Sequence, residues 1–279
     1  MHARCSFPRR AFKAGRGLTI NVRPANHSTF CSNLNPVNIM KIKAVVFDAY
    51  GTLFDVYSIQ TLAEQFYPGQ GAAISVMWRD KQIEYTRLIT QSDPHQTEGS
   101  QYYLPFWEIT QRSLLYTLDR LKLDSRGNAV DGLMKQYARL SPFPENLPVL
   151  ESLKKAGLTT AILSNGSPEM LESAVANAGM GDLLDHCLSV DAVRLFKTSP
   201  ESYGLVQKHM PHDKRDILFV SSNGWDALGA TWHGYQTLWV NRFTTLWVNR
   251  QGLPYETIGL RPTYTGRDLS KVCEILGLS

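Results

Sequence analysis

The sequence predicts an α/β fold, in which a doubly wound parallel sheet (Rossmann-like) forms the core and an all-helical cap domain is inserted into it. Three observations predict it. Apolar runs of strand length alternate with helical patterns after residue 148. A first apolar run, at residues 42–47, is separated from the others by a long segment with helical periodicity. The runs end on polar residues or glycine, as buried parallel strands do when they lead into ligand-binding loops.

Five strands and four helices alternate in this predicted core. Ser167, Pro168 and Glu169 form a strong helix start, with a cap residue, a proline in the first turn and an acid. Alternation of this kind requires parallel pairing through right-handed crossovers. The strands are predicted to begin at Ile42, Leu158, His186, Ile217 and Thr237, and the helices to span 149–156, 167–178, 201–209 and 227–233.

Residues 57–141 contain no convincing strand and are predicted to form the cap. Its helices are expected at 58–66, 72–87, 104–121 and 130–139. The core then consists of residues 41–56 and 142–279. A cap inserted after the first strand would lie over the strand ends, where it can exclude water from a site.

Charge separates the first 39 residues from the rest of the chain. Residues 1–40 carry six Lys or Arg and no acid, so subtracting them from the net charge of +4 leaves −2 for residues 41–279. The folded part therefore gives no reason to expect a nucleic-acid partner. We expect residues 1–39 to be disordered and to be either an organellar transit peptide or an over-extended start before Met40.

The four cysteines have neither metal-ligand spacing nor the pattern of a disulfide framework. A reducing compartment, the cytoplasm, is the expected location, with organellar import as the alternative. No apolar segment of the sequence is long enough to span a bilayer. One repeat stands out, because TLWVNR occurs at residues 237–242 and again at 245–250. One copy is expected in the sheet and the other in a loop or hairpin, and the sequence does not say which.

The octet VVFDAYGT places Asp48 at the carboxyl end of the first buried strand. Open α/β sheets bind their ligands at this edge. Each polar residue at the other strand ends is ordinary by itself, but together they predict a site with a carboxylate, an amide, hydroxyls and an ammonium group. The residues expected there are Asp48, Tyr50, Thr52, Ser164, Asn165, Lys197, Ser221, Asn223, Trp225 and Asp226.

FDAYGT, LSNGS, a lysine before a helix and VSSNGWD, in this order, resemble the L-2-haloacid dehalogenases (type II) of the haloacid dehalogenase superfamily. The cap stretch MWRDKQIEY at residues 77–85 resembles them too. The resemblance implies hydrolysis of short L-2-haloalkanoic acids, in which Asp48 displaces halide and water then cleaves the aspartyl ester to give a D-2-hydroxy acid. It also implies no cofactor, no metal, a small halogenated acid as the partner, and a homodimer formed through cap helices.

The same resemblance assigns the residues. Arg79, Asn165 and Trp225 would accept the halide. Ser164 and the backbone N–H groups of Ala49 and Tyr50 would hold the substrate carboxylate. Phe106 and Trp107 would line the cap side of the pocket, although helical core packing explains them equally well. The supporting residues would be Thr52, Lys197, Tyr203, Ser221, Asn223 and Asp226, with Asp226 holding Lys197 over Asp48.

Position 50 separates this reading from a magnesium-dependent phosphatase of the same superfamily. Phosphatases of the superfamily resemble one another in having a second aspartate there, as general acid. An alkoxide leaving group needs a proton and a halide does not, so Tyr50 favours dehalogenation. The phosphatase and a non-catalytic small-acid binding protein remain alternatives.

Three departures from the family pattern bear on the site. Thr198 follows Lys197 where proline is usual, which predicts a less rigid loop. Asp80 stands where an amide is common and is expected either to hold Arg79 away from the halide or to shift substrate preference. Residues 93–101 look like an insertion at the pocket entrance.

Overall fold

A single parallel sheet organises the described part of the chain, which in this computed structural model comprises residues 42–93, 98–242 and 254–278. The strand order is β3-β2-β1-β4-β5-β6, and all five neighbouring pairs are parallel. The predicted fold class is therefore confirmed. The strands are β1 Ala44–Phe47, β2 Thr159–Ser164, β3 His186–Ser189, β4 Ile217–Ser221, β5 Gln236–Val240 and β6 Tyr264–Gly266.

The central strand β1 is buried along its whole length, as expected of a parallel strand covered on both faces. Phe47 is in register with Ile162 of β2 and with Val220 of β4. The residues that follow these positions therefore emerge at one edge of the sheet. Because β1 lies where the strand order reverses, this edge is the usual ligand site of the fold.

Five helices complete the core, and their starts differ in part from the prediction. They are α5 Asn146–Lys155, α6 Pro168–Asn177, α7 Pro200–His209, α8 Gly224–His233 and α9 Ser270–Leu276. The predicted start of α8 at residue 227 was wrong, because the Asn223 carbonyl already accepts hydrogen bonds from the N–H groups of Asp226 and Ala227. Trp225 and Asp226 thus lie in the first turn of a helix, where a carboxylate is favoured by the helix dipole.

The prediction of five strands was also wrong, because β6 adds a sixth at the edge of the sheet. It has only three residues, none of them buried, and so carries no apolar run that sequence reading could detect. The first copy of the repeat supplies Thr237–Val240 of β5. The second copy, at residues 245–250, lies outside the described residues.

Within the described residues, four helices lie between β1 and α5, and we call residues 60–137 the helical insertion. They are α1 Gln60–Phe66, α2 Gly71–Gln91, α3 Phe106–Arg120 and α4 Ala129–Tyr137. Trp78 of α2 donates from Nε1 to the Thr110 carbonyl of α3 at 2.7 Å, and α2 also packs against α1. The domain boundaries at residues 57 and 141 stay predictions, and the leader 1–39 lies outside the described residues. No helix in the described ranges has the length and apolar character needed to cross a membrane.

Candidate active site

Asp48 follows β1 directly and is almost fully buried. Its Oδ1 lies 3.1 Å from Nζ of Lys197. Its Oδ2 accepts hydrogen bonds from the Thr52 hydroxyl at 2.8 Å and the Asn223 amide at 2.8 Å, with the Ser221 hydroxyl at 3.4 Å. The two carboxylate oxygens are therefore unequal, since among the described residues Oδ2 is held by three donors and Oδ1 only by the ammonium group.

Lys197 lies between two carboxylates. Its Nζ is 3.1 Å from Asp48 and also 3.1 Å from Oδ2 of Asp226. Burial lowers the pKa of Lys197, but the charges of Asp226 and Asp48 outweigh burial, and the pKa of the lysine lies above its ordinary value. The ammonium group is therefore charged throughout the neutral range, as two neighbouring carboxylates require.

Asp226 is inaccessible to solvent and is fixed on its other side by Tyr203, whose hydroxyl donates to Oδ1 at 2.8 Å. Burial raises the pKa of Asp226 to about 6, while Lys197 and the Tyr203 hydroxyl act in the opposite direction. Tyr203 itself keeps its proton, because burial raises its pKa well above the usual value. Tyr203 thus touches Asp226 rather than the open part of the site, and acts through it.

Four hydrogen-bond donors near Asp48 have no acceptor among the described residues. They are the backbone N–H groups of Ala49 and Tyr50, the hydroxyl proton of Ser164 and Nδ2 of Asn165. Ser164 and Asn165 are themselves fixed, because Ser164 Oγ accepts from the Gly166 N–H and Asn165 Oδ1 accepts from the Lys197 N–H at 2.9 Å. Donors without acceptors are suited to an anion.

Arg79 reaches this edge of the sheet from α2. Its Nη2 donates to the Tyr50 carbonyl at 3.2 Å and to Oδ1 of Asn223 at 3.4 Å. The side chain is buried, yet within the described ranges it has no carboxylate within ion-pair distance. A buried guanidinium group that is not neutralised by an acid is available to bind an anion.

A cleft of about 610 Å³ opens outside Arg79 and Asn223. Trp225 lines it, and the Arg87 guanidinium lies 5.6 Å from the centre of the Trp225 ring. Asp80 also lines the cleft, but it forms no ion pair with Arg79 in the described structure, so it does not pull the guanidinium away by direct contact. Asn165 is not among the lining residues of this cleft, so the cleft brings together Arg79 and Trp225 of the expected halide site but not Asn165.

The Tyr50 ring belongs to an aromatic cluster between the sheet and the helical insertion. Its centre lies 5.9 Å from that of Phe106 and 5.7 Å from that of Tyr137. Phe106 is buried, whereas its neighbour Trp107 is 37% exposed. Phe106 therefore packs beside Tyr50 and is separate from the outer cleft.

The structure describes the surroundings of two of the sequence departures, and the less rigid loop expected at Thr198 stays a prediction. The Lys197–Thr198 peptide bond is cis, and Lys197 is held through its backbone by Asn165. Residues 94–97 of the expected insertion lie outside the described residues. The residues that follow, Gly99 and Ser100, contact Val193 and Arg194 and do not line the cleft.

Sequence reasoning missed the residues that surround Arg79. Nη1 of Arg79 lies 3.5 Å from Oε1 of Gln82, which also accepts from the Tyr137 hydroxyl at 3.2 Å. Gln82 in turn donates to Thr110 at 3.0 Å. These side chains lie within ordinary amphipathic helices. The feature of the sequence that could have indicated them is a polar residue, such as Gln82, on the buried face of a helix.

A family model for haloacid dehalogenase-like hydrolases matches residues 42–234. This chain belongs to that family. It is 40% identical over 234 residues to the (S)-2-haloacid dehalogenase of Pseudomonas sp. (strain YL), covering 84% of this chain and 94% of that protein. It is also 40% identical over 225 residues to haloacetate dehalogenase H-2 of Moraxella sp. (strain B), covering 81% of this chain and 93% of the other.

A solved structure of the L-2-haloacid dehalogenase from Xanthobacter autotrophicus, with chloropropionic acid covalently bound, superposes with a TM-score of 0.75. The two are 36% identical, and the match covers 85% of this chain and 98% of that one. The family resemblance expected from the sequence is thus confirmed.

The alternative expected from the sequence, a magnesium-dependent phosphatase, requires oxygens that fit a hard cation. The oxygens that would face it are Oδ1 of Asp48, Oδ2 of Asp226 and the Tyr50 carbonyl. The first two flank the Lys197 ammonium group, and the third accepts from Arg79 and Asn223. A cation prefers such oxygens free of positive neighbours, so these residues do not fit it.

Proposed function

We propose that this dehalogenase-family chain hydrolyses the carbon–halogen bond of short L-2-haloalkanoic acids and releases halide and a D-2-hydroxy acid. One observation carries the proposal: beside a carboxylate that a buried lysine holds in place lie four donors that have no acceptor, and Arg79 with no acidic partner, among the described residues. Such a site suits a substrate with one negative charge and a second negative charge that develops during the reaction. The names of the two relatives given above, an (S)-2-haloacid dehalogenase and a haloacetate dehalogenase, support it.

In the first step, Asp48 attacks carbon 2 of the substrate. Oδ1 is the attacking atom, because Oδ2 is occupied by three donors. A carbon–oxygen bond forms as the carbon–halogen bond breaks, and the halide leaves with the bonding electrons, so no proton is required. Attack from the side opposite the halide inverts carbon 2 and converts an L substrate into a D product.

The anion-binding groups divide into two sets in this proposal. The N–H groups of Ala49 and Tyr50 and the Ser164 hydroxyl hold the substrate carboxylate. Arg79 and the Asn165 amide receive the departing halide, and the edge of the Trp225 ring completes its environment in the cleft. Each set contains donors that are already positioned, so little reorganisation accompanies the transfer of charge.

In the second step, water attacks the ester carbonyl carbon of Asp48. Negative charge then develops on Oδ2, and the Thr52 hydroxyl, the Asn223 amide and the Ser221 hydroxyl are already directed at that atom. Collapse of the intermediate breaks the bond to the substrate oxygen, which takes up one proton from the attacking water. The other proton goes to solvent, and the Asp48 carboxylate is restored.

The phosphatase reading has less support. Tyr50 occupies the position of the general acid, and burial raises its pKa well above the ordinary tyrosine value. Its hydroxyl lies buried without a hydrogen-bond partner in the described structure, on the side of Gly166. A proton held this firmly is poorly matched to an alkoxide leaving group at neutral pH.

We further propose that the protein is a cytoplasmic homodimer. Trp107 and Leu115 are 37% and 40% exposed on α3, two turns apart on the same side of the helix. Exposed large apolar side chains of this kind favour association, and a second copy of the chain is the proposed partner. Light scattering on the purified chain tests it, and a Trp107→Glu, Leu115→Glu variant should be monomeric.

Halide release from L-2-chloropropionate in the presence of EDTA tests the enzymatic proposal, with the D isomer and chloroacetate as comparison substrates. Asp48→Asn should abolish release, whereas Asp131→Asn, which changes an exposed acid on α4, should leave it unchanged. One turnover in ¹⁸O-water with excess enzyme should place the label in the Asp48 carboxylate. Folded enzyme that releases no halide from either isomer refutes the proposal. Phosphate release that depends on Mg²⁺ would favour the phosphatase, and tight acid binding without turnover the binding protein.

A further inference from the structure

The residue before Lys197 is held by the helical insertion. The Phe196 N–H donates to Oγ1 of Thr90, near the end of α2, at 3.0 Å. The Tyr103 ring stacks on the Phe196 ring, with 4.9 Å between the ring centres and 26° between the planes. Phe196 is completely buried. The helical insertion thus contacts both the main chain and the side chain of Phe196, the residue next to the buried lysine.

Further contacts hold the preceding residues, and we call residues 191–197 the lysine loop. The Tyr103 hydroxyl donates to Oδ1 of Asp191, and the Ser100 N–H donates to the Arg194 carbonyl at 3.0 Å. Gly99 lies so close that an added Cβ would meet the Val193 carbonyl oxygen at 2.6 Å. The insertion therefore contacts the lysine loop at several points along its length.

These contacts matter because they fix the backbone of Lys197, and the ammonium group lies at the other end of its side chain. The Lys197 N–H donates to Oδ1 of Asn165, and its Nζ lies 3.1 Å from both Asp48 and Asp226. A lysine side chain has four rotatable bonds and a point charge at its end, so its position depends on where its backbone is fixed. Displacements of about 1 Å in a reacting group cost up to about a hundredfold in rate.

Resting on the proposed function, we propose that Thr90 and Tyr103 are positioning residues, which hold the lysine loop so that the Lys197 ammonium group stays between Asp48 and Asp226. Neither residue lines the outer cleft. Their effect on the reaction is transmitted through Phe196 and the lysine backbone.

Thr90→Val tests this, because valine keeps the shape of threonine and removes the acceptor for the Phe196 N–H. Thr90→Ser is the conservative rescue. Thr86→Val is the matched control, because Thr86 is a buried threonine one turn earlier on α2 whose hydroxyl, among the described residues, bonds only to the Ile83 carbonyl of its own helix. Tyr103→Phe, which keeps the ring stack and removes the hydroxyl, is a second and milder variant.

Two readouts separate positioning from a structural role. In Thr90→Val we expect kcat for L-2-chloropropionate to fall about tenfold with KM within about twofold. In the unliganded protein, ¹³C NMR should show the titration midpoint of the Asp226 carboxyl rising by about half a unit, because the ammonium group stabilises the charged carboxylate less well from a displaced position. Thr90→Ser should restore both values, Thr86→Val should alter neither, and Tyr103→Phe should move both in the same direction by less.

The proposal is overturned if Thr90→Val loses thermal stability but matches Thr86→Val in kcat and in the Asp226 midpoint, or if serine fails to restore either value. The NMR titration does not depend on turnover. A wild-type chain that releases no halide, but whose Asp226 midpoint still rises in Thr90→Val, would end the dehalogenase proposal and leave the positioning role standing.

Discussion

The duplicated segment near the end of the chain permits a closely controlled test of β5. The repeat extends over eight positions, YQTLWVNR at 235–242 and FTTLWVNR at 243–250. Deletion of 243–250 or of 235–242 joins the remaining copy to the same following residue, Gln251. The two products have the same length and the same junction, and they differ only by Tyr or Phe at one position and Gln or Thr at the next.

The first copy contributes contacts that explain why it forms the strand. The Tyr235 hydroxyl is buried, donates to the Tyr203 carbonyl at 2.7 Å and lies 2.9 Å from Oε1 of Gln207. The Tyr235 ring also stacks on Phe219 at 5.9 Å. Phenylalanine can repeat the stacking but not the hydrogen bonds. Loss of a buried hydrogen bond that leaves its partners unsatisfied costs about 1–3 kcal/mol.

We therefore expect the variant that lacks 243–250 to keep the stability of the full chain, because Arg242, which donates to the Thr52 carbonyl at 3.1 Å and pairs with Glu145, is retained. The variant that lacks 235–242 should be less stable by about 1–3 kcal/mol, or roughly 2–12 °C in Tm for a domain of this size. The Gln236 contact with the Arg215 carbonyl is exposed and adds little.

Urea unfolding followed by circular dichroism and tryptophan fluorescence measures the difference between the two variants. Their common junction cancels any strain that the shortened connection introduces. Equal stability within about 0.5 kcal/mol would refute the role given to the Tyr235 hydroxyl. Failure of the 243–250 deletion to fold, beside a folded 235–242 deletion, would refute the assignment of the first copy to β5.

Three further predictions concern the site. The single-turnover rate should fall below about pH 6, because protonation of Asp226 removes one of the two negative charges that hold the buried lysine. Tyr203→Phe removes a hydrogen bond that lowers the pKa of Asp226, so in a pH–rate profile the acidic fall in rate should move to higher pH. Thr52→Val should slow hydrolysis of the ester by roughly ten- to a hundredfold, as one donor to the developing oxyanion is lost, with Thr52→Ser near wild type in stopped-flow turnover. Gly166→Ala should lower stability by about 1–3 kcal/mol in urea unfolding, because its Cβ would lie 2.7 Å from the Tyr50 ring, and unchanged stability would contradict this packing.

The site residues at the sheet edge could be predicted from the sequence, because each prediction depends on a short stretch of the chain. Asp48, Asn165 and Asp226 each follow a buried apolar run, and parallel strands bring their carboxyl ends together. Lys197 follows the same reasoning with a longer loop. Arg79 could not be found in this way, since a helical arginine is usually exposed, and only the family resemblance pointed to it.

The contacts that escaped prediction join segments far apart in the chain. Phe196 bonds to Thr90 across 106 residues. The sequence around either residue gives no indication of the other. β6 escaped for the opposite reason, because a strand of three partly exposed residues has no pattern at all. Strand ends are predictable from chain-local periodicity, whereas docking of an inserted helix on a loop depends on side chains that look ordinary in each segment.

Lys197 and Arg79 differ in how far nearby acids neutralise their charge, and this difference favours the proposed reaction. The charge of Lys197 is shared by Asp48 and Asp226, so Asp226 weakens the hold of the ammonium group on the attacking carboxylate. Arg79 has no acid to share its charge with in the described structure. As the ester forms, negative charge moves from Asp48 to the halide, away from the compensated cation and toward the uncompensated one. An enzyme gains rate only from interactions that are stronger in the transition state than before it, and this unequal neutralisation supplies such an interaction.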